Sequence, residues 1–337
     1  MARSSSIVHG YAVLLALMVG CATASQQSAP AAALPDEPSP PPRNVPKASP
    51  FVKDGEAKLQ AKDAAGARAA FEQAIAADPN DARAHLDLGI AAELLGDAKG
   101  AEQAYRKAIE VQPDLAEAQN NLGVLLRDRG ALDEALPFLQ QAVELNPRSA
   151  SAHGNLALAL EDKGDAAGAA REYRAALAID DKDVMLHVNL GLLLVEGGDA
   201  AAAQTELHTA LGAAQGNRPA LVAIGNGLRR AGDAAGAVQA MQGAVDSGAP
   251  PTPALLTELA LAQRAADDRD GAVATLERAL ALDARYATAH YVLGNMLAGA
   301  KRMPEAKKHY ERYLALEPKG EHADQTRERL KMLKQVK

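Results

Sequence analysis

The feature that most constrains this chain is a spacing. Gly96, Gly130, Gly164, Gly198 and Gly232 follow one another every 34 residues, as do Ala67, Ala101, Ala135, Ala169, Ala203 and Ala237. One inserted residue then moves the alanine series to Ala272 and Ala306. A fixed period of this length is the signature of a solenoid, in which one small unit cannot bury its own apolar face and must stack on its neighbours. The unit recurs from residue 48 to residue 320 and is cleanest over residues 82–115, ARAHLDLGIAAELLGDAKGAEQAYRKAIEVQPDL.

Numbered from Ala82, the unit carries small or apolar residues at positions 7, 8 and 11, with position 4 on the same face, and again at 20, 24 and 27. Each set falls on one face of a helix. Glycine at position 15 lies just past the first helix, where a left-handed residue is wanted. Asp97, Asp165, Asp199 and Asp233 follow it, placed to cap the second helix. Small residues at 8, 20 and 27 let two antiparallel helices approach closely, with a bulky residue at 24 between them. Proline at position 32 ends the second helix, as at Pro79, Pro113, Pro147 and Pro318. This pattern closely resembles the tetratricopeptide repeat. The resemblance implies an all-α, right-handed solenoid of about eight helix-turn-helix repeats over residues 48–320, whose concave surface binds peptides or protein partners.

Not every repeat is regular. Asp54 stands at an apolar position of the first one, and Pro137 falls inside a second helix. Gly225, Gly227 and Gly243 lie within the helices of the sixth repeat, and the insertion sits in Ser247–Pro253. Interior glycines each cost about 1 kcal/mol against alanine, so residues 216–253 are expected to be a locally weak segment. Residues 321–337 read as a further amphipathic helix that caps the stack. From Lys301 onward eleven Lys and Arg face six Asp and Glu, within a chain of net charge −7. The acidic balance argues against a nucleic-acid partner.

Before the repeats, Tyr11–Gly20 is an apolar run too short to span a bilayer as a helix. It ends in Met18-Val19-Gly20-Cys21, which resembles a bacterial lipobox. Residues 1–20 are then a lipoprotein signal peptide, and Cys21, the only cysteine in the chain, is the lipidated N-terminus. An alternative is ordinary signal-peptide cleavage at Ala22-Thr23-Ala24. A lone cysteine excludes an internal disulfide. Residues 21–47 form a Pro/Ala-rich linker with too little apolar surface to fold. The resemblance implies an outer-membrane, lipid-anchored protein facing the periplasm or the cell surface.

Candidates for chemistry are few. His85, His153, His187 and His290 all hold position 4, one per repeat and too far apart for a shared metal. No catalytic constellation, cofactor motif or small-molecule site is recognisable, so a non-catalytic scaffold is expected. Asn121, Asn155 and Asn189 hold position 6, away from any cap. In some members of the repeat family such a ladder bonds the backbone of an extended peptide; the other reading is a bond to the adjacent helix. Ile90, Val124, Leu158 and Leu192 at position 9, with Asp128, Asp162 and Glu196 at position 13, fall on the same inner face of a helical wheel. Together they would line a groove for an apolar and basic segment of a protein partner. A lipobox, a linker and tandem repeats also resemble pilotin-type lipoproteins, which assist assembly of the type IV pilus secretin. Adaptors for peptidoglycan enzymes and subunits of glycan synthesis or export machines share the architecture.

Overall fold

The computed structural model describes residues 49–335, and the signal and linker readings for residues 1–47 lie outside them. Seventeen α-helices account for the described elements, with no strand among them. The first four pairs are α1 and α2 (Pro50–Gln60, Ala64–Ala77), α3 and α4 (Ala82–Leu94, Ala98–Val111), α5 and α6 (Ala116–Asp128, Leu132–Leu145), and α7 and α8 (Ala150–Asp162, Ala166–Ile179). The next four are α9 and α10 (Val184–Glu196, Ala200–Ala213), α11 and α12 (Arg218–Arg230, Ala234–Val245), α13 and α14 (Pro253–Ala265, Arg269–Leu282), and α15 and α16 (Ala287–Gly299, Met303–Leu316). A last helix, α17 (Ala323–Gln335), packs on α16. No described helix is long and apolar enough to cross a membrane.

Within each pair one contact recurs. The residue at position 24 is wholly buried against a glycine or alanine at position 8 of the partner helix: Tyr105 on Gly89, Leu139 on Gly123, Leu207 on Gly191, Tyr310 on Gly294. A Cβ added at Gly89 would come within 2.3 Å of the Tyr105 ring. Position 15 turns each hairpin, with φ between 74° and 87° at Gly96, Gly130, Gly164, Gly198 and Gly232. That region penalises a Cβ, yet Lys62, Asp267 and Lys301 occupy it in the other three repeats. Asp97, Asp165, Asp199 and Asp233 each accept a hydrogen bond from the third residue of the following helix, as expected.

A second recurring bond, between repeats, gives the position-4 residues their role. His85 Nε2 donates to the Pro79 carbonyl (3.0 Å), Gln119 Nε2 to Pro113 (3.0 Å), and His153 Nε2 to Pro147 (3.2 Å). His187 and His290 donate likewise to Asp181 and Ala284. Each tie closes the turn that leads out of the preceding repeat and satisfies a carbonyl at a helix end. Asp54 is explained by its place in the stack. Position 7 normally packs on the preceding repeat, as Leu88 packs on Val52 and Phe71. No described repeat precedes the first, so Asp54 lies exposed and pairs with Lys58 at 2.7 Å. Pro137 is exposed on α6, which runs through it unbroken.

The sixth repeat departs from the weakness expected of it. The largest apolar cluster runs without a break from Val188 through Ile224, Met241 and Leu256 to Tyr313 and Ala323. Gly225 seats Met241, and Gly227 lets α11 settle against Leu207 and Leu192. The inserted turn is held by Arg218. Its Nε donates to the Ala244 carbonyl (3.0 Å) and Ser247 Oγ (2.9 Å), and its Nη atoms donate to the carbonyls of Pro250 and Ala249. Two of the three glycines are therefore packing residues, and only Gly243 has ordinary room for a methyl group. Opposite signs follow for the two kinds of glycine. Gly243→Ala should stabilise the chain by about 0.5–1 kcal/mol through helix propensity. Gly89→Ala should cost about 1–3 kcal/mol by overpacking against Tyr105. Thermal or urea unfolding of the two variants checks both.

Candidate functional site

The first helices of successive repeats touch one another, α9 on α11, α11 on α13 and α13 on α15, whereas no pair of second helices does so to the same extent. The first helices therefore line the inner side of the stack. Positions 6, 9, 12 and 13 of α3, α5, α7 and α9 form its floor over repeats two to five.

The asparagines of position 6 are half-buried there. Asn155 Nδ2 donates to Asn120 Oδ1 across the repeat boundary at 2.9 Å, and Asn120 Nδ2 donates to Asn121 Oδ1 at 3.2 Å. Part of the row thus ties neighbouring helices together through a residue at position 5. Asn189 makes no side-chain hydrogen bond among the described residues. The position-9 residues are less open than the helical wheel suggests. Ile90, Val124, Leu158 and Leu192 are half-buried, each packed against a core cluster that includes residues of the following first helix. Curvature closes the helices over the stripe, which leaves a partly covered seam.

What faces the interior of the groove is mainly carboxylate. Asp128, Asp162 and Glu196 are exposed at position 13, and Glu93 and Glu161 stand beside them at position 12. Tyr105 and Tyr173 each donate a phenolic hydrogen bond to those two glutamates, the second at 2.9 Å. Asp87 completes the row at position 6, only 3% exposed, with Oδ2 lacking a partner and Arg83 at 3.4 Å from Oδ1. Burial raises Glu93, Glu161 and Asp162 above the usual carboxylate range and lifts Asp87 to about 6. Six carboxylates are set against three cations: Arg230 at the far end of the row, and within it Arg83 and Arg127. The latter, almost buried, sits 2.7 Å from Asp128 and 3.9 Å from Asp162 with Nη1 unsatisfied. Beyond α9 the sign reverses at Arg229, Arg230 and Arg264, where Arg230 lies 3.8 Å from Glu196. The four residues Asp87, Glu93, Arg127 and Glu161 were not expected at the site. Each sits one helical turn from an expected one, the only trace of them in the sequence.

No group of three or more His, Cys, Asp or Glu among the described residues is placed to hold a metal ion. His153 and His187 instead set Nδ1 against Glu172 (2.7 Å) and Glu206 (2.6 Å).

Asp87 has a consequence for stability. Its folded pKa lies above the unfolded value of 3.8, so the folded state binds more protons and stability falls as pH rises from about 4 to 6. Asp87→Asn, which installs the amide found at this position in the next three repeats, should stabilise the chain at pH 7 by roughly 1–3 kcal/mol and flatten that dependence. Melting curves between pH 4 and 8 check it.

The tetratricopeptide repeat family matches residues 53–115, 95–147, 138–184, 188–251 and 257–321. No curated protein matches the chain. Among solved structures, a chain of the APC/C hetero-tetramer Cut9–Hcn1 aligns over 84% of this chain with 17% identity and a TM-score of 0.51. This chain spans only 55% of that one. A tetratricopeptide repeat protein from Parabacteroides merdae ATCC 43184 aligns over 75% of this chain and 98% of its own, with 16% identity and a TM-score of 0.50. At such identities the likeness is one of fold. With the periodic glycines, the paired helices and the family match over most of its length, the chain belongs to the tetratricopeptide repeat family.

Proposed function

We propose that the chain is a non-catalytic scaffold, anchored to the outer membrane through lipid on Cys21, that holds an extended basic segment of a protein partner in the groove of repeats two to five. The observation that carries the groove reading is the row of Asp87, Glu93, Asp128, Glu161, Asp162 and Glu196, four of them (Asp87, Glu93, Glu161 and Asp162) raised by burial, matched by only three cations. Carboxylates already raised by burial gain most from an incoming lysine or arginine, which restores the favourable surroundings of their charge. Asn189, together with the amide groups of Asn121 and Asn155 not spent on one another, offers hydrogen bonds to a peptide backbone. The half-open edges of Ile90, Val124, Leu158 and Leu192 accept small apolar side chains between the basic ones. Assembly of an envelope complex, such as a type IV pilus secretin, is the cellular role we assign to this architecture.

Two measurements test the reading. A peptide alternating lysine with valine should bind the full chain, and the triple variant Asp128→Lys, Asp162→Lys, Glu196→Lys should weaken it at least about tenfold, since each reversal turns attraction into repulsion at short range. All three side chains are exposed, so melting should be little changed. Undiminished binding by the folded variant moves the site elsewhere. For the anchor, Cys21→Ser should release the protein from the membrane fraction or leave it unprocessed, because stable attachment needs more than one acyl chain. Normal processing with continued flotation alongside outer membranes excludes lipidation.

A further inference from the structure

Repetition supplies an internal comparison at position 23 of the second helices. In repeats four and five the residue there is Glu172 or Glu206, whose carboxylate meets Nδ1 of the position-4 histidine while Nε2 donates to the preceding turn. In repeat eight the backbone arrangement is the same and His290 Nε2 donates to the Ala284 carbonyl at 3.2 Å. Position 23, however, is His309, whose Nδ1 lies 2.9 Å from His290 Nδ1, with the ring centroids 5.1 Å apart. A recess of about 380 Å³ opens beside them, lined by Ala284, His290, Lys308, His309 and Arg312.

Hydrogen-bond accounting fixes the protons. A carbonyl only accepts, so His290 carries its proton on Nε2 and its Nδ1 is an acceptor. His309 Nδ1–H must then be the donor between the rings. That leaves His309 Nε2, on the opposite edge of the ring, as a bare acceptor in a recess edged by two cations. Lys308 and Arg312 have no ion-pair or hydrogen-bond partner among the described residues. The equivalent recess of repeat two differs. There Arg68 is paired with Glu72 and Asp97, Lys107 is paired with Glu110, and position 23 is Ala104. The only carboxylate acting on His309 is Glu305, and it is committed to Arg302 at 2.6 Å. Repeat eight thus keeps the histidine of a histidine–carboxylate pair, has lost the carboxylate, and carries two free cations beside it.

We propose that this recess is a carboxylate-binding site, in which an aspartate or glutamate side chain of a protein partner takes the place that Glu172 and Glu206 fill from within the chain. Lys308 and Arg312 hold the carboxylate, and His309 takes up one proton from solvent on Nε2 to donate to it. His309 then donates through both nitrogens, and its bond to His290 is unchanged. The two cations disfavour a metal ion at the same nitrogen. Burial beside His290 and Lys308 holds His309 down at about 4 in the empty recess, and burial also lowers His290, with Arg312 adding to it. A bound carboxylate opposes those effects. Binding is therefore linked to proton uptake and strengthens as pH falls from 7.5 towards 5.5, where glutamate side chains are still largely ionised.

The probe is a ten-residue peptide alternating glutamate with serine, titrated into the full chain at pH 7.5 and pH 5.5, with the glutamine version as control. Binding should be tighter at the lower pH, absent for the glutamine peptide, and accompanied by an upward shift of the His309 titration followed by NMR of its ring. Lys308→Ala with Arg312→Ala, both at exposed side chains, should weaken binding about tenfold or more, the scale of losing charge-assisted hydrogen bonds. His309→Glu, which recreates the pairing of repeats four and five, should fill the recess from within and abolish binding. Equal binding of the glutamine peptide, or affinity unchanged in the Lys308/Arg312 double variant, overturns the proposal. Displacement of the peptide by equimolar inorganic phosphate also overturns it, by making the recess a phosphate site instead.

Discussion

Everything in this solenoid rests on one contact, the bulky side chain at position 24 seated on a glycine or alanine at position 8. Tyr105, Leu139, Tyr173, Leu207, Met241, Leu276 and Tyr310 are all wholly excluded from solvent. Burying one such side chain is worth about 1.5–3 kcal/mol, and the absent or minimal Cβ opposite lets two helix backbones come close enough to do it. The chain has only three phenylalanines and no tryptophan, so its core is built of alanine and leucine around these position-24 residues. A core of that kind tolerates little volume change at position 8. It also leaves the outward faces of both helices free to vary, because the hairpin does not depend on them.

Hairpins alone do not make a stack. The junctions are secured by polar atoms whose partners lie in the next unit: position-4 histidine or glutamine on the preceding turn, Arg68 on Asp97, His208 on Asp233 at 2.6 Å. Where position 4 becomes leucine, at Leu221 and Leu256, the tie is missing and the means of joining changes. Arg218 gathers the inserted turn by its backbone carbonyls, and the largest apolar cluster crosses the same boundary. Stability along the stack is therefore set by junction type as much as by the helix propensity of each repeat.

The parts of the fold legible in the sequence are those in which one residue type answers a local demand. Glycine at a left-handed turn, aspartate at a cap, proline past a helix end and small residues opposite position 24 all repeat at 34 residues because the demand does. The site was less legible, and for physical reasons. A helical wheel describes one straight helix and knows nothing of curvature, so it left Leu158 and Leu192 open when the following first helix half-covers them. It put Asn155 in the row but could not foresee that Asn120, one position out of it, would accept its amide hydrogen bond. Arg218 reaches carbonyls 26 to 32 residues away, and no periodicity encodes that. The glycines of repeat six were read through helix propensity, yet Gly225 and Gly227 are set by contacts with Met241 and Leu207.

Quasi-equivalence also explains how such a chain acquires chemistry without changing shape. Position 23 carries Ala104, Phe138, Glu172, Glu206 or His309 on helices of the same length and register. The backbone there is held by positions 20, 24 and 27, so the residue at 23 is free to be selected for what it bonds. The same freedom applies at position 13, where acid in repeats three to five gives way to Arg230 in repeat six. The charge of the inner surface is thus written along the stack one substitution at a time, and its sign changes where Arg230 meets Glu196. A segment lying along this surface meets acid at one end and base at the other. For the segment proposed above, the polarity of the row rather than any single residue would set its direction.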